Sequence, residues 1–106
     1  MDNSSTDNAA TVSRENDTFL LKLYVAGQTP RSVAAIENLN RICEVHLHGR
    51  YKLEVVDLAR NPEQARIDKI LAIPTLVRSL PTPIMRIIGD LSDTEKVLMG
   101  LNIRKL

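Results

Sequence analysis

Apolar residues come in short blocks whose period changes along the chain. Leu20-Leu21-Lys22-Leu23-Tyr24-Val25 is almost continuously apolar, which predicts a strand buried on both faces. Gly27 interrupts it. Thr29-Pro30 then reads as a helix cap followed by proline at the first helical position. Val33, Ile36, Leu39, Ile42, Cys43 and Leu47 recur every three or four residues and predict one apolar helix face, with Gly49 as its stop. Tyr51 to Leu58 is predicted as a second strand, with Leu53, Val55 and Val56 as its core. Connections this short imply a parallel strand pair with a right-handed crossover.

Asn61-Pro62-Glu63-Gln64 predicts the next helix start, with Asn61 as cap, Pro62 in the first turn and Gln64 reaching back. That helix should run to about Leu71, because Ile73 precedes Pro74 and is pushed out of helical geometry. Thr75–Leu80 and Ile84–Ile88 are strand patterns separated only by Pro81-Thr82-Pro83, so they predict an antiparallel hairpin. Gly89-Asp90 ends the second of them. Ser92 with Glu95 forms a capping-box pattern, and Val97, Leu98 and Leu101 give the last helix its apolar face. The predicted order is βαβαββα in one α/β domain over residues 19–106. Residues 1–18 carry almost no large apolar side chain and are expected to be a disordered tail.

Charge and composition then narrow the function classes. Fourteen basic and 13 acidic residues nearly cancel, and only three side chains are aromatic. That excludes a strong electrostatic footprint or a stacking platform for nucleic acid. No apolar run approaches membrane-spanning length and no basic start leads into an apolar stretch, so a cytoplasmic, soluble protein is expected. The single cysteine, Cys43, sits on the apolar helix face and excludes an internal disulfide or a CxxC pair. His46 and His48 are two apart near a helix end, a spacing that does not share a helical face for a metal. Asp57, Asp68, Asp90 and Asp93 fall in cap and turn contexts. With no nucleophile–base pair and no phosphate loop, the expectation is a non-enzyme without cofactor or metal.

The order of elements, with proline just before the third strand, resembles the thioredoxin fold with its mixed sheet. In that fold the Ile73-Pro74 bond is normally cis. The place of the catalytic CxxC reads Gly27-Gln28-Thr29-Pro30, so no thiolate chemistry is available there. More specific stretches are similar to the circadian-clock KaiB family. They are Leu21-Lys22-Leu23-Tyr24-Val25-Ala26-Gly27 with Thr29-Pro30, and Lys69-Ile70-Leu71-Ala72 with Pro74-Thr75-Leu76. Arg86-Ile87-Ile88-Gly89-Asp90-Leu91-Ser92-Asp93, Glu95-Lys96-Val97-Leu98 and Gly100-Leu101 complete the match over about residues 19 to 103.

That resemblance implies a non-enzymatic regulator that binds the N-terminal ATPase ring of a KaiC-type kinase–phosphatase. It implies a metamorphic chain, with a resting homodimer or homotetramer of order βαββααβ and a thioredoxin-like monomer that alone binds the ring. The residues fit such an exchange. Ile84–Ile88 and Val97–Ile103 are readable as helix or strand. Gly100 weakens a helix by roughly 1 kcal/mol against alanine, so Gly100→Ala is expected to favour the thioredoxin-like monomer. Pro74, Pro81 and Pro83 lie where isomerisation over about 10–100 s would slow an exchange. Two packings need differ by only a few kcal/mol.

The resemblance places the KaiC-facing surface at Arg60, Asn61, Pro62, Glu63 and Lys69, with Glu63 where clock members often have glutamine. Three further departures from clock members matter more. Glu54 replaces a lysine that supports capture of KaiA, and the reversed charge opposes that contact. Asn102 replaces an aspartate near the switching end, and Lys105 a tyrosine; with no acidic tail, a weaker resting tetramer is expected. Phe19 replaces a tyrosine and should pack similarly. A KaiBC system without KaiA accommodates these departures. Two other readings compete: a thioredoxin-like input module like that of a clock-associated sensor histidine kinase, and a thiol enzyme built on Cys43 alone.

Overall fold

The computed structural model describes residues 18–103. Most of the expected N-terminal tail, and Lys105, lie outside them. The element order is β1 (Phe19–Val25), α1 (Pro30–His46), β2 (Tyr51–Asp57), α2 (Pro62–Ile67), β3 (Thr75–Leu80), β4 (Met85–Ile88) and α3 (Thr94–Leu101). The sheet has four strands in the order β2-β1-β3-β4. β1 pairs parallel with β2, antiparallel with β3, and β3 pairs antiparallel with β4. The predicted parallel pair and hairpin both form.

Alternation along β1 divides the two layers. Phe19, Leu21, Leu23 and Val25 join Ala35, Leu39, Ile42 and Cys43 of α1 and Val97, Leu98 and Leu101 of α3 in the main core. Tyr24 faces the other way and packs with Leu58, Ile70 and Ala65 beside α2. The sheet therefore has α1 and α3 on one face and the short α2 on the other.

Several local expectations need correction. Ser32, not Val33, turns into the core. Thr29 caps α1 through the Ser32 backbone N–H, and the Ser32 hydroxyl oxygen also accepts from the Ala26 N–H at 3.2 Å, drawing it inward. Asn61 occupies the cap position of α2 but its side chain makes no capping bond. Gln64 does not reach back; its amide donates to Asp68 at 2.9 Å. α2 stops at Ile67 rather than near Leu71, and Lys69 takes a left-handed φ of 57°. The last helix is capped by Asp93, whose carboxylate accepts from the Lys96 N–H, so Ser92 belongs to the preceding turn. The bonds before Pro74, Pro81 and Pro83 are all cis.

Candidate functional site

The loops at one end of the parallel pair are fastened by one carboxylate. Asp57, at the end of β2, accepts from the Gly27 and Ala59 backbone N–H groups, each at 2.9 Å. These two bonds hold its carboxyl below the usual carboxylate range. The Asp57 carbonyl also accepts from the Arg60 and Asn61 N–H groups. The lead-in Arg60-Asn61-Pro62 is thereby set against the β1–α1 turn, and Arg60 leans back toward Asp57 at 3.9 Å.

α2 presents most of its side chains outward, with Gln64 and Ala65 half-buried. None of its residues is buried. Arg60, Asn61, Pro62, Glu63 and Lys69 are all exposed, so the structure brings the expected partner-facing residues onto one short segment. Glu63 pairs with Arg66 along the helix. Between these charges stand apolar side chains that sequence reasoning did not single out. Ile67 is 61% exposed and Leu71 97% exposed. A Leu open to solvent to that degree, a short way along the chain from an exposed isoleucine, is the kind of anchor a protein partner covers.

Beneath this surface lies a polar network. The buried Tyr24 hydroxyl donates to the Asp68 carboxylate at 2.5 Å. Burial, then the Asp68 bond, pushes the Tyr24 phenol well above its ordinary value. In return the Tyr24 hydroxyl, then the Gln64 amide, hold Asp68 below the carboxylate range. Arg86 of β4 reaches across and donates to the Asp68 and Lys69 carbonyls, both at 3.1 Å.

The residues expected to take part in a fold exchange lie elsewhere. Pro74 is buried at the start of β3, while Pro81 and Pro83 fill the β3–β4 connection beyond its end. Gly100 lies on α3 against β4: a Cβ there would stand 2.6 Å from Ile87 Cδ1. Asn102 ends α3 in the left-handed region, at φ 56° and ψ 45°. Glu54 sits on edge strand β2 in register with Lys22. Phe19 is buried, with the Arg78 guanidinium 6.0 Å from its ring centre.

Other candidate chemistry is spread out. Cys43 is fully buried, and burial pushes its thiol up to about 12. His48 pairs with Glu44 at 3.5 Å, and Glu44 also accepts from Tyr51 at 2.6 Å. Among the described residues, no group of three or more His, Cys, Asp or Glu side chains could hold a metal ion. No described helix is long and apolar enough to cross a membrane.

A KaiB domain model matches residues 22–103. The chain belongs to the KaiB family. Its relatives include the circadian clock oscillator protein KaiB of Synechococcus elongatus, 58% identical over 86 residues, covering 81% of this chain and 84% of that protein. The circadian clock oscillator protein KaiB of Thermosynechococcus vestitus is 57% identical over the same length, covering 81% and 80%. Among solved structures, the N-terminal domain of Synechococcus elongatus SasA is similar at a TM-score of 0.63 and 22% identity, covering 87% of this chain and 90% of that domain. Chloroplastic thioredoxin z is similar at 0.63 and 21%, covering 95% and 91%. The structural likeness shows a thioredoxin-like fold for this KaiB-family chain.

Proposed function

We propose that this chain is a cytoplasmic, non-enzymatic regulator that binds the N-terminal ATPase ring of a KaiC-type kinase–phosphatase through α2 and its flanking loops. The observation that carries the reading is α2 itself: a helix with no buried residue, whose margin exposes Ile67 and Leu71 among Arg60, Glu63 and Lys69. Membership of the KaiB family supports a Kai-type partner. Binding draws on the thioredoxin-like state of a metamorphic chain, so apparent affinity falls with the fraction in that state. Pro74, Pro81, Pro83, Gly100 and Asn102 belong to the half that exchanges, against a resting homodimer or homotetramer. Glu54 opposes KaiA capture, so the partner set is a KaiC-type hexamer without a strong KaiA contact.

The test is size-exclusion chromatography with light scattering, on the protein alone and with its cognate KaiC-type hexamer plus ATP. Co-elution is expected, approached over minutes to hours where the fold must change. Leu71→Asp should weaken it at least about tenfold, the effect of losing one buried anchor. No co-elution of the unaltered chain would refute the reading. A second reading, a signalling input module, draws on the likeness to the SasA N-terminal domain. Its 22% identity stands against 58% to KaiB of the same organism, which favours the first.

A further inference from the structure

The short helix that carries the candidate partner surface closes its last carbonyls on the Asp68, Lys69 and Ile70 N–H groups, but the turn that supplies them is not held by the helix alone. Helix ends leave carbonyls without intrahelical partners. α2 has six residues, too few to be stable alone. Beyond it, Lys69 takes a left-handed φ of 57°, a conformation that a side chain disfavours unless neighbours fix it. The Asp68 and Lys69 carbonyls both receive Arg86, through separate guanidinium nitrogens. Arg86 comes from β4, the edge strand of the hairpin, and it is in register with Val77 on the face that α2 covers. From the other side Tyr24 of β1 and Gln64 hold the Asp68 carboxylate. Only Arg86 among these comes from the last two elements of the chain.

We propose that Arg86 is a positioning residue that makes the order of the α2 C-terminal turn, and with it the surface around Ile67, Lys69 and Leu71, depend on β4 lying beside β3. With β4 in place the planar fork spans two carbonyls at once and fixes the left-handed turn. Without β4 those carbonyls lose their donor and the turn loosens, although β1, α1 and β2 are unchanged. The state of the hairpin is in this way read out at a surface on the far side of β3. The functional part of this inference rests on the proposed α2 interface, whereas the clamp itself does not.

Full-length Arg86→Gln and Arg86→Lys are compared with the unaltered chain by amide hydrogen exchange, without partner, and by binding to the cognate KaiC-type hexamer with ATP. The informative amides are Asp68, Lys69 and Ile70, which bond to Gln64, Arg66 and Ala65. Both variants should exchange there about tenfold or more faster, the effect of losing a charged hydrogen-bond pair, with β1 and α3 unchanged. Lysine keeps the charge but cannot span both carbonyls, so it should rescue poorly. Binding should weaken by a similar factor. Unchanged exchange at residues 68–70 in Arg86→Gln overturns the clamp, as does full rescue by lysine. Weaker binding with unchanged exchange overturns it too, because Arg86 would then touch the partner directly. If the unaltered chain does not bind the hexamer, the partner assignment fails, and the exchange comparison still decides the clamp.

Discussion

Gly100 has two opposed physical roles, and a double-mutant cycle can separate them. On helix propensity alone, Gly100→Ala should stabilise α3 by about 1 kcal/mol. The packing corrects that simple expectation. A Cβ at position 100 would lie 2.6 Å from Ile87 Cδ1 and 2.9 Å from Ile87 Cγ1. Carbon pairs prefer roughly 3.5–4.0 Å, so the Ile87 side chain must retreat by about 1 Å. Rotation about χ2 moves Cδ1, but relieving Cγ1 also takes a shift at χ1 or in the β4 backbone. Overpacking of this kind costs about 1–3 kcal/mol, comparable with the propensity gain. In an Ile87→Ala background both clashing atoms are gone, and the new methyl occupies part of the space they leave. The gain from Gly100→Ala should therefore be larger there than in the unaltered chain, by about 1–2 kcal/mol of coupling. Ile87→Val, which removes only Cδ1, should fall between. The assay is urea unfolding followed by far-UV circular dichroism, at concentrations where light scattering shows monomer. Additivity within about 0.5 kcal/mol would refute the close approach of α3 to β4.

Other expectations follow from single contacts. Tyr24→Phe should cost about 1–2 kcal/mol at neutral pH by removing the hydroxyl bond to Asp68, measured by urea unfolding. Because Asp68 titrates below its unfolded value, its contribution is complete above about pH 4 and is lost as pH falls through the depressed folded value; the phenylalanine variant should show a shallower acid limb. Asn102→Gly should stabilise α3 by a few tenths to about 1 kcal/mol, and Asn102→Val should destabilise it by about 1–2 kcal/mol, since the cap is left-handed, with thermal unfolding as the readout. Arg78→Met should cost about 2–3 kcal/mol by leaving the Leu101 and Pro83 carbonyls without their donor, and hydrogen exchange should rise at both ends of the contact. Cys43 should react with iodoacetamide far more slowly in the native chain than in urea, and fast native alkylation would contradict its burial.

The order and pairing of elements were legible because apolar period and turn residues agreed. The misses come where a distant contact overrode a local pattern. Ser92 with Glu95 and Asp93 with Lys96 are both acceptable helix starts by composition. Leu91 decides between them: it is buried at a φ of 64°, which commits Ser92 to the turn, where its N–H donates to Asp90. α2 ends early because Ile70 must reach the layer of Tyr24 and Leu58. The burial of Leu91 in one core cluster and of Ile70 in the other is set by tertiary packing. Arg78 was within reach of the alternation rule, since it lies two residues from Leu76 and therefore on the core face. The candidate surface was identified by resemblance at Arg60, Asn61, Pro62, Glu63 and Lys69. Its apolar anchors were not, because an exposed Leu71 and a buried one look alike in a run such as Ile70-Leu71-Ala72.

The distribution of the core bears on how such a chain could keep half its structure while exchanging the rest. Of the 15 buried residues in the main core among the described residues, nine come from β1, α1 and the turn after it, before β2 begins. That part also makes the parallel pairing with β2. The later half adds six buried side chains, and two of its attachments are made by arginines rather than by packing. Arg78, only 2% exposed, joins β3 to the 81–83 connection and to the end of α3, where its charge also suits the helix C-terminus. Arg86 joins β4 to the end of α2. A guanidinium bonded to backbone carbonyls gives up its contacts as a unit when its strand leaves, and water can take its place where the site is exposed. The apolar part of the first half has no such substitute. For the proposed exchange, a retained first half and a rearranged second half are therefore the division that this arrangement of contacts favours.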